Sequence, residues 1–513
     1  MRRSLTETVR RTTPAELPSP RRRPALDLTL HVRTITPVVG GGVESNEPDP
    51  HDPIRSQALR GAFRFWWRTL QWHHGDVDWL HAREGELLGG VELPPDKRGG
   101  EPKALRGRVR ISVSVADDGA LQDPFSLARQ RSTSDGSESD LVYALFPLKR
   151  DRLPVRVGLR FALRLQLFES TTSRCDGIAA PEPELQRDVD EVVAALGLWL
   201  TFGGVGARTR RGFGALMLER EEGYAEAAPR PRVVLPPAGG FASPVAMGEW
   251  LRAVRAPFAR KPRGVSDRAA RTAPSWPVVA AGDQLPVDAG MPGLALLVLA
   301  DQVATPIDVL LGLVGSLRQF RQGEGFARRR GSQRNRPGRT YWPEADAFRL
   351  LYQQTQKGRG RRLRHDPEPK VWPGGRFPAP RAGFGLPVNV AFKDRDDKPA
   401  GGQILAPGRS GSRARPDPLE RWPSPLLLRP LALQPDGSHE RAVPGLVWFR
   451  NAAPKEGVAK QRRHRETTAT SWPTPYPSSQ VAELVQDAGG DAVLAFLRWL
   501  QSQHDCVTDG LDR

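Results

Sequence analysis

The stretch from Val155 to Gly214 constrains the fold of this chain more than any other. Val155, Val157, Leu159, Phe161, Leu163, Leu165 and Leu167 alternate with Arg156, Arg160 and Arg164, the period-2 pattern of a half-buried strand. Helical spacing then takes over, with Leu185, Val189, Val192, Val193, Leu196 and Leu200 on one face of a helix over 183–200. Next comes Gly203-Gly-Val-Gly-Ala-Arg-Thr-Arg-Arg-Gly-Phe-Gly214, and a short strand is expected over 213–218. Glycine permits positive φ and close backbone approach. Arginine presents a planar fork of donors that matches phosphate. Together they describe a loop that lies against a polyanion. The spacing departs from the common nucleotide loops. A Walker loop needs Lys-Ser or Lys-Thr where Phe213 stands, and a dinucleotide fingerprint opens a helix, whereas this loop follows one. The ordinary alternative is a helix-to-strand turn that happens to be basic.

Upstream, Leu26, Leu28, Leu30 and Val32 alternate with polar residues and predict a strand over 26–36. A Gly/Pro/Asp-rich loop runs from Pro37 to Pro53, and a helix is expected over 54–72 with Asp52 as its start signal. Val109, Ile111, Val113 and Val115 mark another strand. The order strand, helix, strand, strand, helix, strand is the split β-α-β arrangement. Its helices cover one face of a four-stranded antiparallel sheet and leave the other face, and the edge loops, free for RNA. Pro, Ala, Gly and Glu then dominate, and residues 223–273 read as a linker. Beyond it lie an apolar run at 293–300, a helix at 306–320, apolar segments at 384–392, 425–433 and 445–449, and a helical pattern over 479–502. The expected class is α+β with two ferredoxin-like (RRM-like) domains, 25–222 and 274–513. Residues 1–24, with seven arginines, four prolines and no apolar h-region, read as a disordered basic arm.

Basic residues number 76 against 58 acidic ones, and the isoelectric point is about 10.6. That balance points to a polyanionic partner. All but ten of the basic residues are arginine, which a GC-rich genome also favours, so placement matters more than number. Cys175 and Cys506 match no zinc or disulfide spacing and fit a reducing cytoplasm. No apolar run reaches membrane-spanning length.

Within the helix at 54–72, Arg60, Arg64 and Arg68 recur every four residues as one stripe, with no acid between them and Phe63, Phe65, Trp66 and Trp67 interleaved. Either the aromatics are core and the arginines solvated, or Arg55, Arg60 and Arg64 reach phosphates. From Arg318 to Arg339 eight arginines face one acid, Glu324. This run, including Arg328, Arg329, Arg330, Arg334 and Arg336, is either a solvated, flexible basic loop or, the reading favoured in this company, a segment that orders on RNA. Tyr341 and Trp342 after it could stack on a base or sit in a buried turn before Pro343. His73, His74, Asp76, Asp78 and His81 cluster without metal-ligand spacing. His31 and His51-Asp52 are the only candidates for a general base in RNA cleavage. No catalytic constellation, metal site or cofactor loop emerges.

These residues resemble the RAMP superfamily of CRISPR-associated proteins, and within it the subunit-one family of type III-B (Cmr) effector complexes. The resemblance rests on Thr36-Pro37 with Gly40-Gly41-Gly42, on Ile54-Arg55-Ser56 through Leu59-Arg60-Gly61-Ala62-Phe63-Arg64-Phe65-Trp66-Trp67-Arg68, and on Phe202 to Gly214. Arg339 to Arg349 and Ser424 to Pro430 are similar to pieces of that family's second half. The resemblance implies a non-catalytic cytoplasmic subunit that caps the complex near the guide RNA 3′ end and helps capture target RNA, with guide RNA, target RNA and other Cmr subunits as partners. It assigns RNA contacts to the loop, through Gly203, Gly204, Gly206, Arg208, Arg210, Arg211 and Gly212, and to Arg55 and Arg60. The alternatives are a guide-processing endoribonuclease of the same superfamily and a free-standing RNA-binding protein.

Overall fold

The computed structural model describes residues 24–42, 47–71, 77–92, 103–131, 137–145, 154–169, 182–224, 229–258, 294–322, 342–354, 379–385, 388–390, 403–407, 423–434, 440–449, 456–461, 467–471, 480–504 and 506–509. The arm at 1–23, the run Arg328, Arg329, Arg330, Arg334 and Arg336, Tyr341, Cys175 and the His73–Asp76 cluster lie outside these residues.

In the N-terminal half, β1 (Leu26–Thr34), α1 (Ser56–Gln71), α2 (Val77–Leu88), β2 (Val109–Asp117), β3 (Arg160–Leu167), α3 (Glu182–Phe202) and β4 (Leu216–Glu222) succeed one another. The strands form one sheet in the order β2-β3-β1-β4, every neighbour antiparallel. β1 shows why alternation is legible: Leu26, Leu28, Leu30 and Val32 are buried while Asp27, Thr29, His31 and Arg33 are half-exposed. The long alternating segment is not one strand. Gly158 turns it at φ 78°, so Val155–Val157 pairs with Ala120–Gln122 in a separate two-stranded ribbon and only Arg160–Leu167 joins the main sheet. Alternation is blind to a one-residue turn that preserves the inward face.

The C-terminal half repeats the order. After α4 (Pro244–Arg255) come β5 (Leu294–Leu299), α5 (Pro306–Gln322), α6 (Glu344–Gln354), β6 (Leu426–Leu433), β7 (Arg441–Phe449), a helix at Gln480–Asp487, α7 (Ala492–Gln501) and β8 (Cys506–Asp509). The sheet order is β6-β7-β5-β8, again antiparallel. A further antiparallel sheet joins Val388–Val390, Gln403–Pro407, Glu456–Gln461 and Thr467–Ser471. The expected single helix over 479–502 is two, broken at Gly489 and Gly490, both with positive φ, and restarted by Asp491, whose carboxylate accepts from Val493 N and Leu494 N at 2.8 and 3.1 Å.

One core runs through both halves. Leu296, Val298, Leu427, Leu431, Val443, Val447 and Phe449 of the second sheet pack with the α1 and α3 side chains. The alternate positions Ala295, Leu297, Leu299, Leu426, Leu428, Leu446 and Trp448 pack with α5 and α7. The layers are therefore sheet, helices, sheet, helices. A sheet buried on both faces reads as continuous apolar runs instead of alternation. Phe65 and Trp66 of α1 meet Phe449 of β7 at ring separations of 5.7 and 6.2 Å. The stretch read as a linker is not one over 229–258. Val233, Leu235, Phe241, Met247, Trp250 and Leu251 belong to the shared core, and Phe241 forms a β-bridge with Leu433.

Candidate nucleic-acid interface

The glycine–arginine loop begins where α3 ends and lies in the seam between the halves. Gly203 N donates to Trp199 O at 2.8 Å, Val205 N to Gly214 O at 3.0 Å, and Ala207 N to Val39 O at 2.6 Å. Thr36 binds the loop's far end: its hydroxyl donates to Gly212 O at 2.7 Å and accepts from Ala215 N at 2.8 Å. The loop is thus a braced turn between residues 36–39 and β4, with Gly203, Gly204 and Gly206 inside the bracing. Gly212 and Gly214 are required by geometry. Both have positive φ, and a Cβ at Gly212 would stand 2.8 Å from Leu310 Cδ1, while one at Gly214 would overlap Val205 O. Thr209–Arg211 makes one 3₁₀ turn. Arg208, before it, has φ 62° and is the one non-glycine residue with positive φ among the described residues. Such strain persists only where its surroundings enforce it.

The loop's arginines face aromatic rings and carbonyls. Arg210 donates through Nη1 to Ser424 O and lies over the Phe65 ring at 5.8 Å. Arg211 and Arg321 both lie over Tyr143, at 5.9 and 6.0 Å. Burial pushes the pKa of Arg210 and Arg211 down to about 10, so both stay charged at neutral pH. Beneath the loop, Arg429 of β6 is 1% exposed. Its Nε donates to Thr201 O at 3.2 Å, but Nη1 and Nη2 have no acceptor among the described residues, and burial lowers its pKa to about 9. A Cβ at Gly204 would stand 3.0 Å from Arg429 Nη1. Trp199 Nε1 and Thr201 Oγ1, at the end of α3, are also buried without partners. Donors without acceptors therefore collect behind Gly203 and Gly204. The sequence reading missed Arg429, although an arginine inside the apolar run Leu426-Leu-Leu-Arg-Pro-Leu431 was the available signal.

The α1 stripe is differently arranged. The sequence shows no acid within it, but α2 folds back and brings Glu84. Arg64 Nη1 meets Glu84 Oε1 at 2.8 Å, and Arg68 meets the same carboxylate at 2.6 and 2.7 Å. Arg64 also donates to Leu88 O at 2.6 Å and to Gly89 O, covering the C-terminal carbonyls of α2. Its guanidinium is thus held by protein acceptors, not poised for phosphate as expected. Arg55 pairs with Asp49 at 3.0 Å. Arg60 is exposed, with Leu88 O at 3.5 Å.

The open face of the first sheet differs from the expectation of a free RNA platform. Its cross-strand rows include Arg110–Gln166–Asp27, Ser112–Arg164–Thr29–Glu222 and Ser114–Ala162–His31–Arg220. Asp27 accepts from Arg164 at 2.7 and 2.8 Å, a pairing that holds its carboxyl below the usual range, and Arg220 meets Glu222 at 2.7 Å. Those rows carry no Phe, Tyr or Trp, the large rings on which RNA-binding sheets stack bases. His31 sits among them, 3.2 Å from Glu222 and 3.0 Å from Arg220. Trp342 is buried, its Nε1 donating to Phe320 O at 3.2 Å, so the buried-turn alternative holds. Among the described residues no group of His, Cys, Asp and Glu could hold a metal ion, and no helix is long and apolar enough to cross a membrane.

The model of the RAMP superfamily matches residues 31–217. No curated protein sequence matches the chain. Among solved structures, the crystal structure of apo Cmr1 from Pyrococcus furiosus is similar at 14% identity and a TM-score of 0.43, over 94% of this chain and 98% of that one. A cryo-EM structure of the type III-B Cmr-beta bound to cognate target RNA contains a chain similar at 10% identity and a TM-score of 0.38, over 83% of this chain and 96% of that one.

Proposed function

We propose that this chain, whose residues 31–217 match the RAMP superfamily model, is a RAMP protein and a non-catalytic RNA-binding subunit of a type III-B CRISPR effector complex. In this reading both halves are ferredoxin-like units, their sheets having the same strand order. The subunit caps the complex near the guide RNA 3′ end, helps capture target RNA, and works beside other Cmr subunits in the cytoplasm. Base pairing reads the sequence, and the protein holds backbone and shape.

The observation that carries the proposal is the set of arginines at the loop. Elsewhere in the first half the largely covered Arg83 and Arg108 meet carboxylates: Arg83 reaches Asp188 and Glu191, and Arg108 reaches Asp188 and Glu86. At the loop Arg429 is buried with two donors unmatched, and Arg210 and Arg211 are desolvated against rings and a carbonyl. Burying an unpaired charge costs several kcal/mol, on the order of the effective penalty per ion. A phosphate at the loop supplies the missing negative charge. In this reading Arg208, held in the left-handed region just before the 3₁₀ turn, touches that phosphate directly.

The test is the salt dependence of RNA affinity. Arg208→Ala with Arg211→Ala weakens binding and lowers the log–log salt slope by about 1.4, two phosphates at ~0.7 each for single strands. An unchanged slope rejects the loop as a phosphate contact. Metal-independent cutting of repeat RNA that His31→Ala abolishes would reject the non-catalytic reading in favour of the endoribonuclease.

A further inference from the structure

Away from the loop, a groove of about 520 Å³ opens between α1, the turn after α2 and the outer edge of β2. Four arginines line it, Arg60, Arg64, Arg106 and Arg110, and among the described residues its lining contains no acidic one. The floor is backbone. Gly89 and Gly107 approach so closely that a Cβ at Gly89 would stand 2.7 Å from Gly107 N. Arg64 is held by Glu84 and the α2 carbonyls, which removes the negative helix end that would otherwise face the groove. Three cations remain. Arg60 and Arg106 are exposed, and Arg110, also exposed, is steadied by the Phe168 ring at 4.6 Å. Ser112 and Gln166 add a hydroxyl and an amide along the same wall.

β2 is an edge strand, paired with β3 alone in its sheet. Its consecutive residues Val109 to Ser112 line the groove, so the backbone groups on the strand's outer edge face it. Cations spaced along an open channel with neutral hydrogen-bonding groups between them suit an extended polyanion whose charges repeat and whose sugars carry hydroxyls. We propose that this groove is a second RNA site, which holds the sugar-phosphate backbone of a single-stranded segment through Arg60, Arg106 and Arg110. The proposal rests on the RNA-binding reading above and extends it to a surface some distance along the chain from the loop.

The experiment titrates full-length protein with a short labelled oligouridine between roughly 50 and 200 mM salt. Arg106→Ala with Arg110→Ala is expected to weaken binding several-fold and to lower the salt slope by about 1.4, while the corresponding double lysine variant keeps the slope. Combined with Arg208→Ala and Arg211→Ala, the loss of slope adds. If the groove variant keeps wild-type affinity and slope while the loop variant loses both, the groove is overturned and the RNA-binding reading stands. If wild-type protein shows no RNA affinity, both are overturned. If the groove variant loses binding to a labelled polyglutamate peptide and leaves RNA binding untouched, the groove is an acidic-peptide site and the proposal fails.

Discussion

Glu84 is 4% exposed and receives Arg64 and Arg68 together, so one residue turns an apparently free basic stripe into a structural clamp. Glu84→Gln is expected to destabilise the protein by about 2 kcal/mol, below the range for fully buried pairs because both arginines are partly solvated. Urea denaturation measures it. Arg429 is the opposite case. Its unmatched donors make the native state less stable than an apolar side chain would, so Arg429→Met is expected to be neutral or stabilising by roughly 1–2 kcal/mol while RNA affinity falls. A loss of both stability and affinity would mean that the Nε bond to Thr201 dominates. At this scale the sequence named the loop arginines and the α1 stripe. It could not separate them, because the deciding partners lie outside both motifs: Glu84 on α2, brought back by the fold, and Ser424, 214 residues beyond Arg210.

Among the elements, half-buried strands were legible and fully buried ones were not. β1 and β3 alternate because one face is core and the other an ion-paired surface. β5 and β7 are apolar on both sides because helices cover each face, and their sequences Leu-Ala-Leu-Leu-Val-Leu and Arg-Ala-Val-Pro-Gly-Leu-Val-Trp-Phe have no period to read. α2 escaped notice because its polar face pairs with the neighbouring helix α1 and its apolar stripe is short. Turn glycines divide in the same physical way. Gly489→Ala meets no neighbour within 4 Å and bears only the cost of positive φ, about 1 kcal/mol. Gly214→Ala also collides with the Val205 carbonyl and is expected to cost ~3 kcal/mol and to loosen the loop. Thermal melts of the two variants compare them directly.

For the whole molecule, the shared core decides cooperativity. Side chains of β6 and β7 pack with α1 and α3, the loop hydrogen-bonds to Ser424, and Arg429 reaches Thr201 across the seam. The two halves are therefore expected to unfold in one calorimetric transition, with equal calorimetric and van't Hoff enthalpies. Two resolved transitions would show that the seam is a weak contact. The same seam places the loop between two sheets of like topology. The most direct measurement is crosslinking with guide-length RNA carrying 4-thiouridine, followed by peptide mapping. The account predicts crosslinks within 203–214, lost with Arg208→Ala and Arg211→Ala. Crosslinks confined to the open face of the first sheet, or none at all, would contradict it.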